Sequence, residues 1–353
     1  MSIASIELAN TSAPVARSAV DALPVIDVSP FVSGGTPADL ACVAAEIRRA
    51  SIDIGFFYVT GHGIPVAELD EALQRGRQFF AAPLSDKMPL RAGTEANALG
   101  YYPLRLDGAP DEYGKVADVK ERFSASRELI AGEPEGGRYG SGLSKWPGDD
   151  AFPGFTRFFK RHIENRIRLT RALAQAFAMS LDLPQSYFDA AFAHLGCVLM
   201  FNYYPKLDRP VAEPSRWNFS PHTDYGAFTL LLQDACGGLQ VRNAAGQWID
   251  APPIPGTFVI NIGDMFAMWT NDLYVSTLHR VMNFNNALRL SIAFFTYPHG
   301  LTEISCLETC ASPSNPPRYE PVLAEDYNRW LVERAHRTGR PGLAARTVER
   351  LRS

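Results

Sequence analysis

Two imidazoles and one carboxylate mark the stretch from Ser220 to Ser291, which opens with Pro221-His222-Thr223-Asp224 and closes with His279 and then Arg289-Leu290-Ser291. His222 and Asp224 are separated by one residue, and on a strand that spacing sends both side chains to one face while Thr223 faces away. His279 lies in Ser276-Thr277-Leu278-His279-Arg280-Val281, a run that reads as a second strand. Two imidazoles and a carboxylate fill three positions of an octahedral metal and leave one face open, a ligand set suited to iron(II). Zinc hydrolases also use His and Asp, usually as three ligands around a tetrahedron with water as the fourth.

Arg289 and Ser291 also alternate on a strand and share a face. A guanidinium beside a hydroxyl forms a fork for a buried carboxylate, and Tyr204 offers a third hydrogen bond. An organic acid held there while chelating the same metal favours iron over zinc. Taken singly, the His-x-Asp pair reads as an ordinary polar pair and Arg289 as a rim salt bridge. In this order, inside an array of strands, they read as one site.

The elements that must position these groups alternate in texture along the chain. Pro24–Val28 reads as a short strand, Pro37–Ile54 as an amphipathic helix and Gly55–Val59 as a β-rich run stopped by Gly61-His62-Gly63. A second helix is expected from Val66 to Phe80. The longest, Phe155–Leu181, carries Phe159, Ile163, Ile167, Thr170, Ala174, Phe177 and Leu181 on one stripe. Its basic residues, Arg157, Lys160, Arg161, Arg166, Arg168 and Arg171, read as a solvated face with carboxylate partners. Between them, Arg91 to Lys145 has weak periodicity and reads as a lid or binding loop.

After Pro184 short strands follow one another: Val198–Tyr204, Phe228–Leu232, Leu239–Val241, Phe258–Asn261 and Ser291–Phe295, punctuated by Gly, Pro, Asn and Asp. Helices first and strands later predict an α+β chain with a double-sheet jelly roll as its strand core. A last helix is expected over about Ala324 to Arg337. The expected divisions are a tail at 1–23, a helical and lid region at 24–185, a jelly-roll catalytic core at 186–310 and a C-terminal helical segment at 311–353.

Composition narrows the function further. A chain of 353 residues, 46% apolar and 20% charged, can bury a large core. Its formal net charge of −4 gives no electrostatic basis for binding nucleic acid or an anionic membrane. Cys42, Cys197, Cys236, Cys306 and Cys310 are odd in number and scattered, so they read as reduced thiols rather than a disulfide framework. The first 23 residues lack the continuous apolar run of a signal peptide or membrane anchor, and a cytoplasmic location is the expectation. His162 and His194 have no partners at metal spacing and read as structural, while His62, between two glycines, reads as a turn residue that caps or packs, with contact to a ligand as the alternative.

Pro24-Val25-Ile26-Asp27, Gly55–Ile64, Asp118–Phe123, Asn202-Tyr203-Tyr204-Pro205, His222-Thr223-Asp224, Gly238–Val241, Asn261–Asp264, His279-Arg280-Val281 and Arg289-Leu290-Ser291 occur in one order. In these motifs, from Pro24 to about Arg337, the chain resembles the isopenicillin-N-synthase-like branch of the iron(II)/2-oxoglutarate dioxygenases. The resemblance implies a double-stranded β-helix with helices packed outside, and Fe(II) bound by His222, Asp224 and His279. It implies 2-oxoglutarate chelating that metal, with its other carboxylate on Arg289, Ser291 and Tyr204 and with Asn202 nearby. O₂ is the second co-substrate, succinate and CO₂ are products, and a small organic substrate is hydroxylated, desaturated or cyclised. By the same analogy Met200, Phe295 and Tyr297, with Phe123 and Tyr101 from the lid, face the substrate.

Some members of that branch instead place their own substrate's carboxylate in the Arg/Ser site and need no 2-oxoglutarate. A small-molecule binding protein that keeps the fold without turnover is a third reading, whose signature would be a missing triad residue; none is missing. Substrate identity and oligomeric state are not written in these motifs.

Overall fold

The computed structural model describes residue 17 and residues 20–93, 99–104, 119–128, 144–206, 219–282 and 287–338. The strands of its two main sheets are β1 (Val25–Asp27), β2 (Phe56–Thr60), β3 (Gly100–Tyr102), β4 (Glu121–Ala125), β5 (Gly196–Tyr204), β6 (Phe219–His222), β7 (Phe228–Gln233), β8 (Leu239–Arg242), β9 (Trp248–Asp250), β10 (Phe258–Ile262), β11 (His279–Val281) and β12 (Arg289–Tyr297). The helices are α1 (Ser29–Ser33), α2 (Pro37–Asp53), α3 (Val66–Ala81), α4 (Leu84–Lys87), α5 (Phe155–Ser180), α6 (Asp189–Ala193), α7 (Asp264–Trp269) and α8 (Ala324–Thr338).

Eight strands form one sheet in the order β1-β2-β10-β7-β12-β5-β4-β3, and four form a second in the order β6-β11-β8-β9. Pairing is antiparallel throughout both sheets except between β1 and β2. With helices outside, this is the expected α+β jelly roll.

Alternation along each strand separates core from site. On β12 the even positions Leu290, Ile292 and Phe294 join the core against the helices, as do Leu199, Phe201 and Tyr203 on β5. The odd positions of β12, from Arg289 to Tyr297, share a face with Tyr204, Asn202 and Met200, their cross-strand partners or near neighbours on β5. A separate apolar cluster, including Phe56, Tyr58, Leu239, Val241 and Val259, packs the two sheets together at one end.

α5 is the main support behind the large sheet, and its predicted stripe is buried from Phe159 to Leu181. Phe159 contacts Phe155 and Phe201 at ring separations of 4.5 and 4.9 Å. α2 starts where Thr36 and Asp39 cap each other's backbone, with Pro37 at the first position. Between α2 and β2, Gly55 takes φ +68°, and a Cβ there would lie 1.9 Å from the Val275 carbonyl oxygen. Only glycine fits that crossing.

One basic residue of α5 departs from the expected solvated face. Arg166 is fully buried, donating from Nη1 to the carbonyls of Leu230 and Ile292 and from Nε to His162 Nε2. His162 Nδ1 in turn meets Glu68 at 2.7 Å. Burial first, then the Arg166 charge, pushes the His162 imidazole down to about 4, against the opposing pull of Glu68. The unfolded chain takes up that proton near pH 6.5 and the folded chain only near 4, so stability falls as pH drops through this window. The expected loss is on the order of a few kcal/mol. Urea midpoints compared at pH 7 and pH 5 should shift less in His162→Gln than in the parent; parallel slopes would contradict this account.

Two sequence expectations change in the segment read as a lid. Within 91–145 the described residues include β3 and β4, which extend the large sheet at its edge. Phe123 pairs with Phe201 and Tyr101 with Phe123, so both aromatics point to the helix side. There they pack against Phe79 at 4.8 and 6.1 Å, and neither faces the His/Asp cluster. Asp118, the N-terminal tail before Arg17 and much of the expected lid lie outside the described residues. All five cysteines are free thiols, and no described helix is long and apolar enough to cross a membrane.

Candidate metal centre

β6 and β11 are neighbours in the small sheet, and His222 and His279 are direct cross-strand partners. Their rings lie 4.2 Å apart. Asp224 sits just beyond the end of β6, so its approach to His222 does not come from strand alternation as the spacing suggested. It is set instead by a turn whose backbone is tied to the start of α7, where Asp264 N donates to Asp224 O at 2.7 Å. The turn also presses closely on the sheet. A Cβ on Gly226 would lie 2.4 Å from Thr296 O, and one on Gly263 would lie 2.2 Å from Gly226 O.

Asp224 Oδ1 is 3.8 Å from His222 Nε2 and 3.7 Å from His279 Nε2. One ligand atom from each of the three residues falls within 4.8 Å of the others. The remaining polar atoms are already engaged. His222 Nδ1 meets Ser220 O at 2.8 Å and His279 Nδ1 meets Thr277 O at 3.1 Å, contacts that place the proton on Nδ1 and leave Nε2 an acceptor. Asp224 Oδ2 accepts from Thr229 Oγ1 at 2.5 Å and from Asn261 Nδ2 at 2.8 Å, which leaves Oδ1 for the cluster.

Protonation agrees with that arrangement. Burial first, and the neighbouring His279 second, lower the His222 pKa and keep its imidazole neutral. Burial alone would raise Asp224, but His279, His222, Thr229 and Asn261 together hold it below the usual carboxylate range. Two Nε2 atoms and one carboxylate oxygen form a donor set that fits a divalent first-row cation.

Thr229 and Asn261 were not singled out from the sequence. Their signal was a lone polar residue within an apolar strand, Phe228-Thr229-Leu230 and Ile260-Asn261-Ile262. Partners that orient a ligand in this way typically contribute roughly 10- to 100-fold to metal affinity. Asn261→Ala is therefore expected to weaken iron binding by about that factor with little change in secondary structure. Iron retention during titration with a chelator would measure it, and unchanged retention would count against the tethering role.

The carboxylate fork lies on the large sheet. Arg289 is 1% exposed, pairs across strands with Tyr204 and stands with its guanidinium carbon 5.1 Å from that ring's centre. It donates from Nε to Gly237 O at 2.6 Å, from Nη1 to Ser291 Oγ at 3.0 Å and from Nη2 to Gln233 Oε1 at 3.3 Å. All three acceptors are neutral. Asp234, close in sequence to that shell, is turned to Arg77 at 3.2 Å and to the backbone of Leu290 at 2.8 Å. No ion pair joins Arg289 to a carboxylate among the described residues. A fully buried guanidinium with only neutral partners suits an anionic ligand.

Asn202 pairs with Ser291 across the strands, and its Oδ1 is buried without a hydrogen-bond partner. Met200, opposite Ala293, and Phe295, opposite Thr229, share this face and are half-buried. Tyr297 is buried on the same face, where a Cβ on Gly226 would meet its ring at 3.2 Å. The geometry thus gathers His222, Asp224, His279, Arg289, Ser291, Tyr204, Asn202, Met200, Phe295 and Tyr297 on the surfaces where the two sheets face each other. Phe123 and Tyr101 are the two sequence candidates it does not bring there.

A jelly roll with a His/Asp/His cluster between its sheets defines a class of metal-dependent oxygenases. Residues 195–298 match the 2OG-Fe(II) oxygenase superfamily, and residues 23–149 match the N-terminal region described as that of non-haem dioxygenase in morphine synthesis. A 2-oxoglutarate-Fe(II) type oxidoreductase, ppzC, of Metarhizium majus is 35% identical over 91% of this chain and 92% of its own. Homoarginine-6-hydroxylase 2-ODD-233 of Oryza sativa subsp. japonica is 32% identical over 89% of this chain and 96% of its own. A full-length Neurospora crassa protein, crystallised in complex with alpha-KG and thymine, superposes with a TM-score of 0.75 and 29% identity, covering 90% of this chain and 97% of that one. The chain belongs to the 2-oxoglutarate–Fe(II) oxygenase family, and it is an oxidoreductase that uses Fe(II), 2-oxoglutarate and O₂.

Proposed function

We propose that His222 Nε2, Asp224 Oδ1 and His279 Nε2 hold the ferrous ion, and that Arg289 and Ser291, with Tyr204 and Asn202 beside them, hold the far carboxylate of 2-oxoglutarate. One observation carries this reading. The three ligand atoms and a buried guanidinium with no carboxylate partner among the described residues belong to surfaces that face each other across the sandwich.

The chemistry supplied there is activation of O₂ at the expense of 2-oxoglutarate, which leaves as succinate and CO₂. The protein's own contribution is placement and exclusion of water. Ser220 O and Thr277 O fix the two imidazole rings, Thr229 and Asn261 fix the carboxylate, and the Arg289 fork sets the orientation of the co-substrate. Met200, Ala293, Phe295 and Phe56 supply the apolar wall beside them, and Phe56 also rests edge-on against His279 at 5.2 Å. Tyr297 supports the turn that carries Asp224.

The substrate is a small organic molecule, and hydroxylation is the outcome. That reading draws support from a relative named as a homoarginine hydroxylase and a structural neighbour seen with thymine. A net charge of −4 supports a role without nucleic acid, and no described helix is long and apolar enough to cross a membrane. Succinate release coupled to O₂ uptake, screened over small metabolites with and without 2-oxoglutarate, tests the proposal. Substrate turnover that needs no 2-oxo acid would overturn it in favour of an oxidase that uses its own substrate's carboxylate.

A further inference from the structure

β4 carries a second cation onto the same face as the Arg289 fork. The register runs Tyr102, Arg122, Asn202, Ser291, Gln233 across five neighbouring strands, which places all five side chains on the side of the sheet that carries the candidate site. Arg122 is half-buried, and its Nε is buried without a hydrogen-bond partner. No ion pair or hydrogen bond engages its guanidinium among the described residues. Among the described residues it stacks over the Tyr102 ring, with the guanidinium carbon 3.8 Å from the ring centre. Stacking fixes the plane of the group and covers one face, and its Nε keeps no hydrogen-bond partner among the described residues.

The position is rigidly held. Glu121, the preceding residue, points to the opposite side, where Lys87 Nζ donates to it at 3.0 Å and Tyr101 Oη also hydrogen-bonds to it. Lys120, two residues before Arg122, lies with Nζ 3.1 Å from the centre of the Phe219 ring, and that ring lies 4.0 Å from His222. The basic edge of β4 therefore continues toward the metal cluster. Arg122 and Ser291 stand two strand spacings apart, roughly 10 Å between backbones. Asn202 stands between them with its Oδ1 also unpartnered.

We infer that Arg122 binds a carboxylate of the organic substrate, so that this oxygenase selects acids and orients them from the β4 edge toward the metal. The inference rests on the proposed iron and 2-oxoglutarate site. Its physical ground is that a guanidinium whose buried Nε has no partner among the described residues matches a planar two-oxygen anion, and a neutral ligand would leave that donor unsatisfied.

The test uses the full chain loaded anaerobically with Fe(II). Calorimetric binding of 2-oxoglutarate is measured first; no binding there would defeat the underlying reading rather than this one. With 2-oxoglutarate bound, benzoate, phenylacetate and cinnamate are then titrated against their amides. At least one acid is expected to bind roughly 10- to 100-fold more tightly than its amide. Arg122→Met should abolish that preference and leave amide binding and the 2-oxoglutarate Kd within about twofold, while Arg122→Lys should retain part of the preference. Thermal midpoints of both variants close to the parent would show that the fold is kept. Acids that bind no better than amides, a preference that survives Arg122→Met, or a 2-oxoglutarate affinity that falls as far as that of the acid would each overturn the assignment.

Discussion

Asp224→Ala should leave a folded protein that no longer retains iron. The substitution removes the one anionic donor of the cluster, the oxygen that lies 3.7 and 3.8 Å from the two Nε2 atoms. Two neutral imidazoles remain, which hold a ferrous ion far more weakly than they do with a carboxylate beside them. Activity is expected to fall by roughly 10³-fold or more, since even partners that only orient a ligand contribute about 10- to 100-fold. The variant also strands two buried donors, Thr229 Oγ1 and Asn261 Nδ2, at a cost of about 1–3 kcal/mol each. A protein of this size tolerates that loss better than a small domain does. Metal analysis after desalting, beside a far-ultraviolet circular dichroism spectrum, reads both effects. Near-stoichiometric iron in the folded variant would show that these three residues are not the metal site.

Arg289→Met should separate co-substrate binding from stability. The guanidinium is buried among neutral acceptors, so the protein without co-substrate holds a cation whose desolvation no carboxylate among the described residues offsets. Replacing it by an apolar chain of similar length removes that desolvation cost but strands Gly237 O, Ser291 Oγ and Gln233 Oε1 as acceptors, so the two effects oppose each other and the unliganded protein should stay within about 1–3 kcal/mol of the parent's stability. The apparent KM for 2-oxoglutarate should rise by roughly 10²-fold or more, because truncating one side of a buried charge pair costs about 2–5 kcal/mol. Iron binding should be unaffected. An unchanged KM for 2-oxoglutarate would remove Arg289 from the co-substrate site and reopen the question of what its charge faces.

Much of this organisation was legible in the chain. The stripe on α5 from Phe159 to Leu181 and the strand positions of His279, Arg289 and Ser291 all follow from periodicity and composition. What escaped was the parity of strands whose neighbours are distant in sequence. Tyr101 and Phe123 read as pocket aromatics, yet which face they take depends on pairing with Phe201, a partner that no local pattern specifies. Arg166 escaped for a related reason. A single arginine among several on a helix shows no sign that its partners will be the carbonyls of Leu230 and Ile292. Asp224 does lie beside His222, but for a different geometric reason, because a turn tied to α7 brings it there where strand alternation was expected to do so.

The large sheet joins distant parts of the chain at both of its flanks. β2 covers the outer edge of β10, with Phe56 opposite Asn261, and β4 covers the outer edge of β5. During synthesis β2 must therefore wait about 200 residues for its antiparallel partner, so the first half of the nascent chain emerges with open strand edges and unburied phenylalanines. Ribosome-bound intermediates stalled before Ile262 should be strongly protease-sensitive and bound by chaperones. A fragment restricted to 186–310 should aggregate for the complementary reason, because it would keep β10, β7, β12 and β5 of the large sheet but lose β2 and β4, which seal its two margins.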